Sequence, residues 1–217
     1  SYAFEIYLTG QSIFYYASVP TPRESLVQSL LQAAYPQSFI QRTQDPMDII
    51  LKDPNIAVGK LSLQHSYTLP IKTYAEFSDL DPLAAMIGLL SKQGANYKFG
   101  IQILVTPASF AWQGQTLSAR TKEVKDPKTG EMKTQATDQN ASYMSNKVMY
   151  HGGRTTIRLI ASSKQKEHDP HSLLQNVAGT YGSFSLGEGN HLGFSSIGMG
   201  RKEFMERLKN RSFSLLE

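Results

Sequence analysis

Residues 81–106, DPLAAMIGLLSKQGANYKFGIQILVT, contain the clearest helix and the clearest strand of the chain in direct succession. Asp81-Pro82 is a helix-start signal, because a proline in the first turn costs no hydrogen bond. Apolar residues then recur at helical spacing up to Gly94, which marks the helix end. Over residues 97–106 apolar and polar residues alternate instead, which predicts a strand.

Two other segments repeat this succession of a helix-start signal, a helix and strand-like sequence. Thr21-Pro22 begins one helix, with Glu24 at the capping-box position, and Asp169-Pro170 begins the other. Helices that alternate with strands and hairpins are typical of split β-α-β units. We therefore predict an α+β fold made of ferredoxin-like split β-α-β unit(s), with the helices packed on a mainly antiparallel sheet.

The order of these elements divides the chain into three segments. Residues 1–108 are predicted to form a ferredoxin-like α+β unit, in which the order β-α-β-β-α-β fits residues 13–106. This order requires a strand at residues 38–42. Residues 109–150 are predicted to form an extended polar excursion. Residues 151–217 are predicted to form a second, partial α+β unit, which is packed on the first or shares its sheet.

The composition excludes several classes of protein. With 40% hydrophobic and 18% charged residues among 217, the chain can bury a core, so it is not wholly disordered. The absence of cysteine excludes a disulfide scaffold, a thiolate metal site and a cysteine nucleophile. The net charge of +4 permits a nucleic-acid or anionic-lipid partner without requiring one. No apolar run approaches the roughly 18 residues of a membrane-spanning helix, and we interpret the chain as an excised or processed soluble piece of a longer protein.

The motifs of common catalytic sites are missing from the sequence. A phosphate-binding P-loop requires Gly-x-x-x-x-Gly-Lys-Ser/Thr, whereas the single Gly-Lys pair, Gly59-Lys60, is followed by leucine. His168 and His171 have a spacing that metal ligands use, but they lack a third ligand nearby, so we interpret them as part of a capped helix start. We therefore expect no catalytic residue, no cofactor and no metal in this segment.

Two groups of basic residues leave a second interpretation open. One group lies in the polar excursion, and the other begins the last helix. Lysine and arginine in such positions bind phosphates by releasing counterions, although a solvated loop and an ordinary packed helix explain the same residues. The candidates for nucleic-acid contact are Arg120, Lys122, Lys125, Lys128, Lys133, Arg201 and Lys202. The aromatic residues Tyr7 and Phe14-Tyr15-Tyr16 are interpreted as core residues, with base stacking as the alternative.

Several segments, in the same order along nearly the whole chain, together resemble a known family. They include Phe14–Pro20, Leu69–Tyr74, Ile101–Pro107 leading to Trp112, and Thr156–Ser162. With these segments the chain resembles the region ahead of the motor in membrane-associated bacterial ATPases of the HerA/FtsK type, which are related to conjugation and type IV secretion.

The resemblance implies a function without chemistry in this segment. Catalytic residues of that family lie in a motor domain, so none is carried over to this chain. The chain is then expected to be a non-catalytic accessory or assembly domain of a type IV secretion or conjugative DNA-transfer ATPase. Its expected partners are other subunits of the complex or its own motor domain, and DNA and a second copy in a homo-oligomer are further candidates. The expected location is cytoplasmic, at the inner face of the cell membrane through the parent protein. A nucleic-acid-binding module is the alternative function.

Overall fold

The computed structural model of the chain describes residues 1–77, 81, 83–127, 129–136 and 141–214, with the backbone alone for residues 122–125 and 133–136. Within these residues the strands are β1 (Tyr2–Thr9), β2 (Ser12–Ser18), β3 (Asn55–Leu63), β4 (Tyr97–Pro107), β5 (Thr121–Lys125), β6 (Met132–Ala136), β7 (Gly153–Ser163) and β8 (Leu192–Ser196). The helices are α1 (Glu24–Ala34), α2 (Met47–Ile50), α3 (Ala84–Ser91), α4 (Ala111–Ala119), α5 (Ala141–Val148), α6 (Pro170–Thr180) and α7 (Arg201–Asn210).

Six strands form one sheet in the order β2-β1-β4-β7-β3-β8, and every neighbouring pair is antiparallel. β5 and β6 form a separate antiparallel hairpin. Side chains from the helices share apolar cores with the strands of the large sheet. The predicted α+β class, with helices packed on an antiparallel sheet, is confirmed.

Two interlocked split β-α-β units lie within the sheet. β3 and β4 are connected through α3 and flank β7, whereas β7 and β8 are connected through α6 and flank β3. This is the ferredoxin-like arrangement, and it spans residues 55–196 rather than residues 13–106. The placement differs because residues 38–42 form no strand and because β1 separates β2 from β4. Strands from residues 1–108 and 151–217 share this sheet, and the division into three segments stays a prediction.

Helices cover both faces of the sheet. α3 and α6 cover one face, where their side chains form the larger core with Phe99 and Leu159. α2 and α7 pack in the second core with Tyr7 and Ile160. Because Leu159 and Ile160 are consecutive in β7, the two cores lie on opposite faces of the sheet. We call these the α3–α6 face and the α2–α7 face.

At the centre of the α2–α7 face, the packing around Gly100 leaves no room for a side chain. Gly100 of β4 stands opposite Tyr7 of β1 in the strand register. A Cβ atom at Gly100 would lie 2.7 Å from the Tyr7 ring and 2.9 Å from the Ile160 side chain. The glycine therefore makes room for the tyrosine ring.

The three predicted helix starts precede α1, α3 and α6. Asp169 caps α6 by accepting a hydrogen bond from the His171 N–H at 3.0 Å, and Asp81 accepts one from the Leu83 N–H at 2.9 Å before α3. Pro82 lies outside the described residues. The predicted capping box at α1 is not formed, because a 3₁₀ turn at Thr21–Arg23 comes first and neither element has a side-chain cap. Among the described helices, none has both the length and the apolarity to cross a bilayer.

Candidate functional site

A row of polar side chains crosses the middle of the sheet on the α2–α7 face. Glu5, Gln102 and Arg158 are direct neighbours on β1, β4 and β7, and each is at most 2% exposed. Gln102 Nε2 donates to Glu5 Oε1 at 2.7 Å, and Arg158 Nη1 donates to Gln102 Oε1 at 3.3 Å. Burial of polar groups is costly without such partners, so the hydrogen bonds keep this polar row stable in the core.

The polar row also holds the C-terminal end of α7. Arg158 donates to the backbone carbonyls of Arg207 at 3.2 Å and Ser212 at 2.6 Å. Gln102 donates to the carbonyl of Leu208 at 2.9 Å. The last carbonyls of a helix carry partial negative charge, which a guanidinium stabilises in addition to the backbone hydrogen bond from the Ser212 N–H to the Arg207 carbonyl. The row therefore fixes α7 on the sheet.

Arg211 connects three parts of the chain that are distant in sequence. Its guanidinium donates to Glu5 at 2.9 Å and to the two carboxylate oxygens of Asp45 at 2.7 and 2.9 Å. Burial raises the pKa of Asp45, but the hydrogen bonds from Arg211 and the Met47 N–H, together with the charges of Arg211 and Lys209, outweigh this effect and hold that pKa below its ordinary value. We call these three residues the Arg211 clamp. The clamp attaches the end of α7 and the chain before α2 to β1.

Residues 19–44 form an arm that leaves the sheet between β2 and α2 and includes α1. The arm begins after Ser18, which pairs with Ala3, and it ends at the Arg211 clamp. No residue of the arm is buried. Within the arm, the Arg42 guanidinium donates to the Glu24 carboxylate at 2.6 and 2.5 Å, and this ion pair joins the segment after α1 to the first residue of α1. The arm therefore projects from the body that the sheet and its helices form.

α1 carries an apolar stripe that no described element buries. Leu26 and Leu30 are 52% and 60% exposed, and Phe39, after the helix, is 85% exposed. A helix of 11 residues is marginal in water and usually depends on packing of such a stripe. Long connections without packing of their own are also uncommon in compact domains unless they are functional or disordered. The arm is therefore a candidate contact surface for another molecule.

β2 is one edge of the sheet and leads directly into the arm. Its sequence, SIFYYAS, contains neither a charge nor a proline. Phe14 and Tyr15 are 45% and 66% exposed, so the prediction of a core position is wrong for them, whereas Tyr7 is 1% exposed and lies in the core. Edge strands are usually protected by charges, prolines or bulges. An uncharged edge is suited to pairing with another strand.

Few charges lie in this part of the molecule. Residues 1–44 hold four charged side chains, Glu5, Arg23, Glu24 and Arg42, whereas the whole chain has 22 basic and 18 acidic residues. Glu5 is buried, and Glu24 and Arg42 pair with each other. We define residues 12–44, the β2 edge and the arm, as the interaction surface. Depletion of charge is typical of the centre of protein–protein interfaces.

Among the predicted nucleic-acid contacts whose side chains the structure describes, Arg120 lies apart from Arg201 and Lys202. Arg201 and Lys202 begin α7, where Arg201 donates to the carbonyl of Ile56. Arg120 follows α4 and donates to Ser145 Oγ at 3.0 Å. These two groups belong to elements at different ends of the large sheet.

The separation of the two basic groups follows from the register of β7. Ile56 pairs with Ser162 near one end of β7, and Pro107, which precedes α4, pairs with Gly153 at the other end. At about 3.3 Å per residue these ends are roughly 30 Å apart. Of the remaining candidates, Lys128 lies outside the described residues, and the backbone alone is described for Lys122, Lys125 and Lys133.

The predicted histidine pair takes part in local structure. His168 Nδ1 lies 2.9 Å from Ser163 Oγ, and its ring stacks on Tyr97 with the ring centroids 4.5 Å apart. His171 follows the capping residue of α6. Throughout the described ranges, no three His, Cys, Asp or Glu side chains are grouped so that they could hold a metal ion.

Sequence reasoning missed the polar row, the Arg211 clamp and the open arm. One signal for the row is present in the sequence, because Arg158 stands in the centre of the strand segment TTIRLIA. Asn190, to which sequence reasoning assigned no role, is fully buried. Its side chain accepts from the His65 N–H at 3.0 Å and donates to the Ser66 carbonyl at 2.9 Å, so it holds the loop after β3.

Comparison with known proteins places the chain in a family. A family model matches residues 1–214. The chain belongs to the family described as Domain of unknown function (DUF8128). No curated protein and no solved structure matches it. The polar row, the Arg211 clamp and the interaction surface all lie within the residues that the family model covers.

Proposed function

We propose that this DUF8128 domain is a non-catalytic assembly domain that acts through protein–protein contacts of its interaction surface. The observation that carries the proposal is the arm, in which a helix with an apolar stripe has no buried residue. The uncharged β2 edge beside it adds backbone donors and acceptors that another chain can pair. A standard interface of about 800 Å² per partner is within the reach of such a surface.

The proposal also includes the kind of protein complex in which the domain works. The resemblance to the region ahead of the motor in HerA/FtsK-type ATPases supports a role in type IV secretion or conjugative DNA transfer. In this role the domain contacts other subunits of the complex or its own motor domain, and its position near the inner face of the membrane comes from the parent protein. The sheet and its helices carry the arm, and the Arg211 clamp attaches the end of the arm to them.

Site-specific photo-crosslinking in cells tests this function. A photoreactive amino acid is placed at Leu30 in the apolar stripe, and a control is placed at Lys164, an exposed residue after β7. We expect crosslinks from Leu30 to a subunit of a secretion or conjugation complex, to a P-loop motor domain or to a second copy of this chain, identified by mass spectrometry. The Lys164 control should lack these products.

Two results of the crosslinking would contradict the proposed function. One is a set of products that does not differ between Leu30 and Lys164. The other is a Leu30 product that belongs neither to a second copy of this chain nor to a secretion, conjugation or motor protein.

A further inference from the structure

We propose that a second copy of this chain is the partner of the interaction surface. The two β2 strands pair antiparallel about a two-fold axis, and each arm packs across the dimer interface onto the other copy. The six strands of each copy then form one continuous sheet of twelve. This inference rests on the proposed function, because it names the partner of the same surface.

The geometry of β2 suits pairing with an identical strand. β2 pairs with β1 through an unbroken register from Thr9↔Ser12 to Ala3↔Ser18, so no bulge turns the edge away. Two identical edge strands that pair about a two-fold axis perpendicular to them run antiparallel, which makes the edge complementary to itself. β2 has seven residues, whereas the opposite edge strand, β8, has five.

The charge distribution favours a copy over a charged partner. In a two-fold interface each patch meets the same patch, so a patch of one sign repels itself. On the interaction surface, Arg23 is the charged residue left after Glu24 and Arg42 have paired. The surface is therefore nearly neutral and attracts neither a strongly acidic nor a strongly basic partner, although the whole chain carries a net charge of +4.

The exposed apolar area matches what a stable dimer buries. Five aromatic side chains of the hairpin and the arm are exposed by 43% to 85%. At about 200 Å² per aromatic side chain they offer roughly 600 Å². Leu26 and Leu30 bring the total close to the roughly 800 Å² per partner of a standard interface. The five aromatic residues are Phe4, Phe14, Tyr15, Tyr35 and Phe39.

Sedimentation velocity of the purified chain over about 5–200 μM tests the inference, and far-UV circular dichroism shows that each variant is folded. We expect the wild-type chain to sediment as a dimer. Tyr15→Lys on the edge and Leu30→Glu on the stripe each occur twice in the dimer, so we expect the dissociation constant to rise by ~100-fold or more. The matched controls are Ser195→Lys on the β8 edge and Gln32→Glu on α1, and both should leave the dimer intact.

Cysteine crosslinking gives a second measurement that does not depend on destabilising variants. Because the chain has no cysteine, a single introduced cysteine reports only on its own position. Directly opposed residues in an antiparallel pair have Cβ atoms about 4.5–5.5 Å apart. Across β2 we therefore expect disulfide-linked dimers to peak near the position on the two-fold axis and to decrease on both sides, well above a Ser195→Cys control.

The inference is overturned by a chain that stays monomeric up to about 200 μM, by a dimer that Tyr15→Lys and Leu30→Glu leave unchanged, or by cysteine coupling along β2 that equals the control. These results are distinct from failure of the proposed function. A monomeric chain whose Leu30 still crosslinks to a secretion subunit in cells rejects the second copy and keeps the assembly role. A dimer that crosslinks to no such subunit keeps the second copy and rejects the role in that machine.

Discussion

Substitution of Arg158 by methionine removes a guanidinium from the core and leaves an unbranched stem in its place. The carbonyls of Arg207 and Ser212 and the amide oxygen of Gln102 then lose a donor. A buried polar group left unsatisfied costs about 1–3 kcal/mol. Ser212 is only half-buried, so its carbonyl can turn to water. The Arg207 carbonyl keeps the Ser212 N–H as a donor at 3.1 Å. Gln102 Oε1 is then the buried acceptor that loses its donor, and we expect the free energy of unfolding to fall by roughly 1–3 kcal/mol.

Urea unfolding followed by far-UV circular dichroism measures this loss. We expect the midpoint to fall while the dependence of the free energy on urea concentration stays unchanged. Arg154→Met is the matched control, because Arg154 lies on the same strand and is exposed, and it should lose less than about 1 kcal/mol. In hydrogen exchange, the amides of α7 should lose protection first in the Arg158 variant. Equal losses in the two variants would refute the idea that the polar row holds α7.

Three further outcomes are expected. Gly100→Ala forces a Cβ to within 2.7 Å of the Tyr7 ring and should lower the free energy of unfolding by about 1–3 kcal/mol. The control Gly88→Ala in α3, where a Cβ would have nothing within 4 Å, should raise the free energy of unfolding slightly. Thermal unfolding that shows equal effects of the two substitutions would contradict this prediction. The depressed pKa of Asp45 means that its contribution to stability is present above its unfolded pKa of about 3.9 and is lost as the pH falls through the folded pKa. Urea unfolding from pH 7 to pH 2 should therefore show a steeper acid loss in the wild type than in Asp45→Asn, and parallel profiles would argue against the clamp. A fluorescence titration with duplex or single-stranded DNA at low salt should show no binding, and binding that weakens steeply as salt rises would instead support the nucleic-acid alternative.

The elements that local sequence determines could be predicted. Asp169-Pro170 specifies a capped helix start because the aspartate side chain and the proline both act within one turn. The alternation in residues 97–106 predicts β4 for a similar reason, since side chains on successive residues face opposite sides of a strand. Such signals depend on near neighbours in the chain, and they locate an element without its partner in the sheet.

The features that depend on distant parts of the chain could not be predicted. The strand expected at residues 38–42 has suitable residues but no sheet edge to pair with, and Arg42 binds Glu24 instead. Alternation does not specify which strands become neighbours, so the ferredoxin-like arrangement lies at residues 55–196 and not at residues 13–106. Arg158 is likewise ambiguous by itself, since two of its acceptors lie about fifty residues later, near the end of α7.

The connection between β4 and β7 has a consequence for how this domain varies. Pro107 pairs with Gly153, and the Ala108 N–H donates to the Gly152 carbonyl at 3.0 Å, so the intervening segment leaves and re-enters the molecule at the same place. Because the two ends of this segment are adjacent, evolution can lengthen, shorten or replace the segment without shifting any strand of the large sheet. Protein engineers have the same freedom, because a tight two-residue hairpin can close that gap or a reporter domain can be spliced into it.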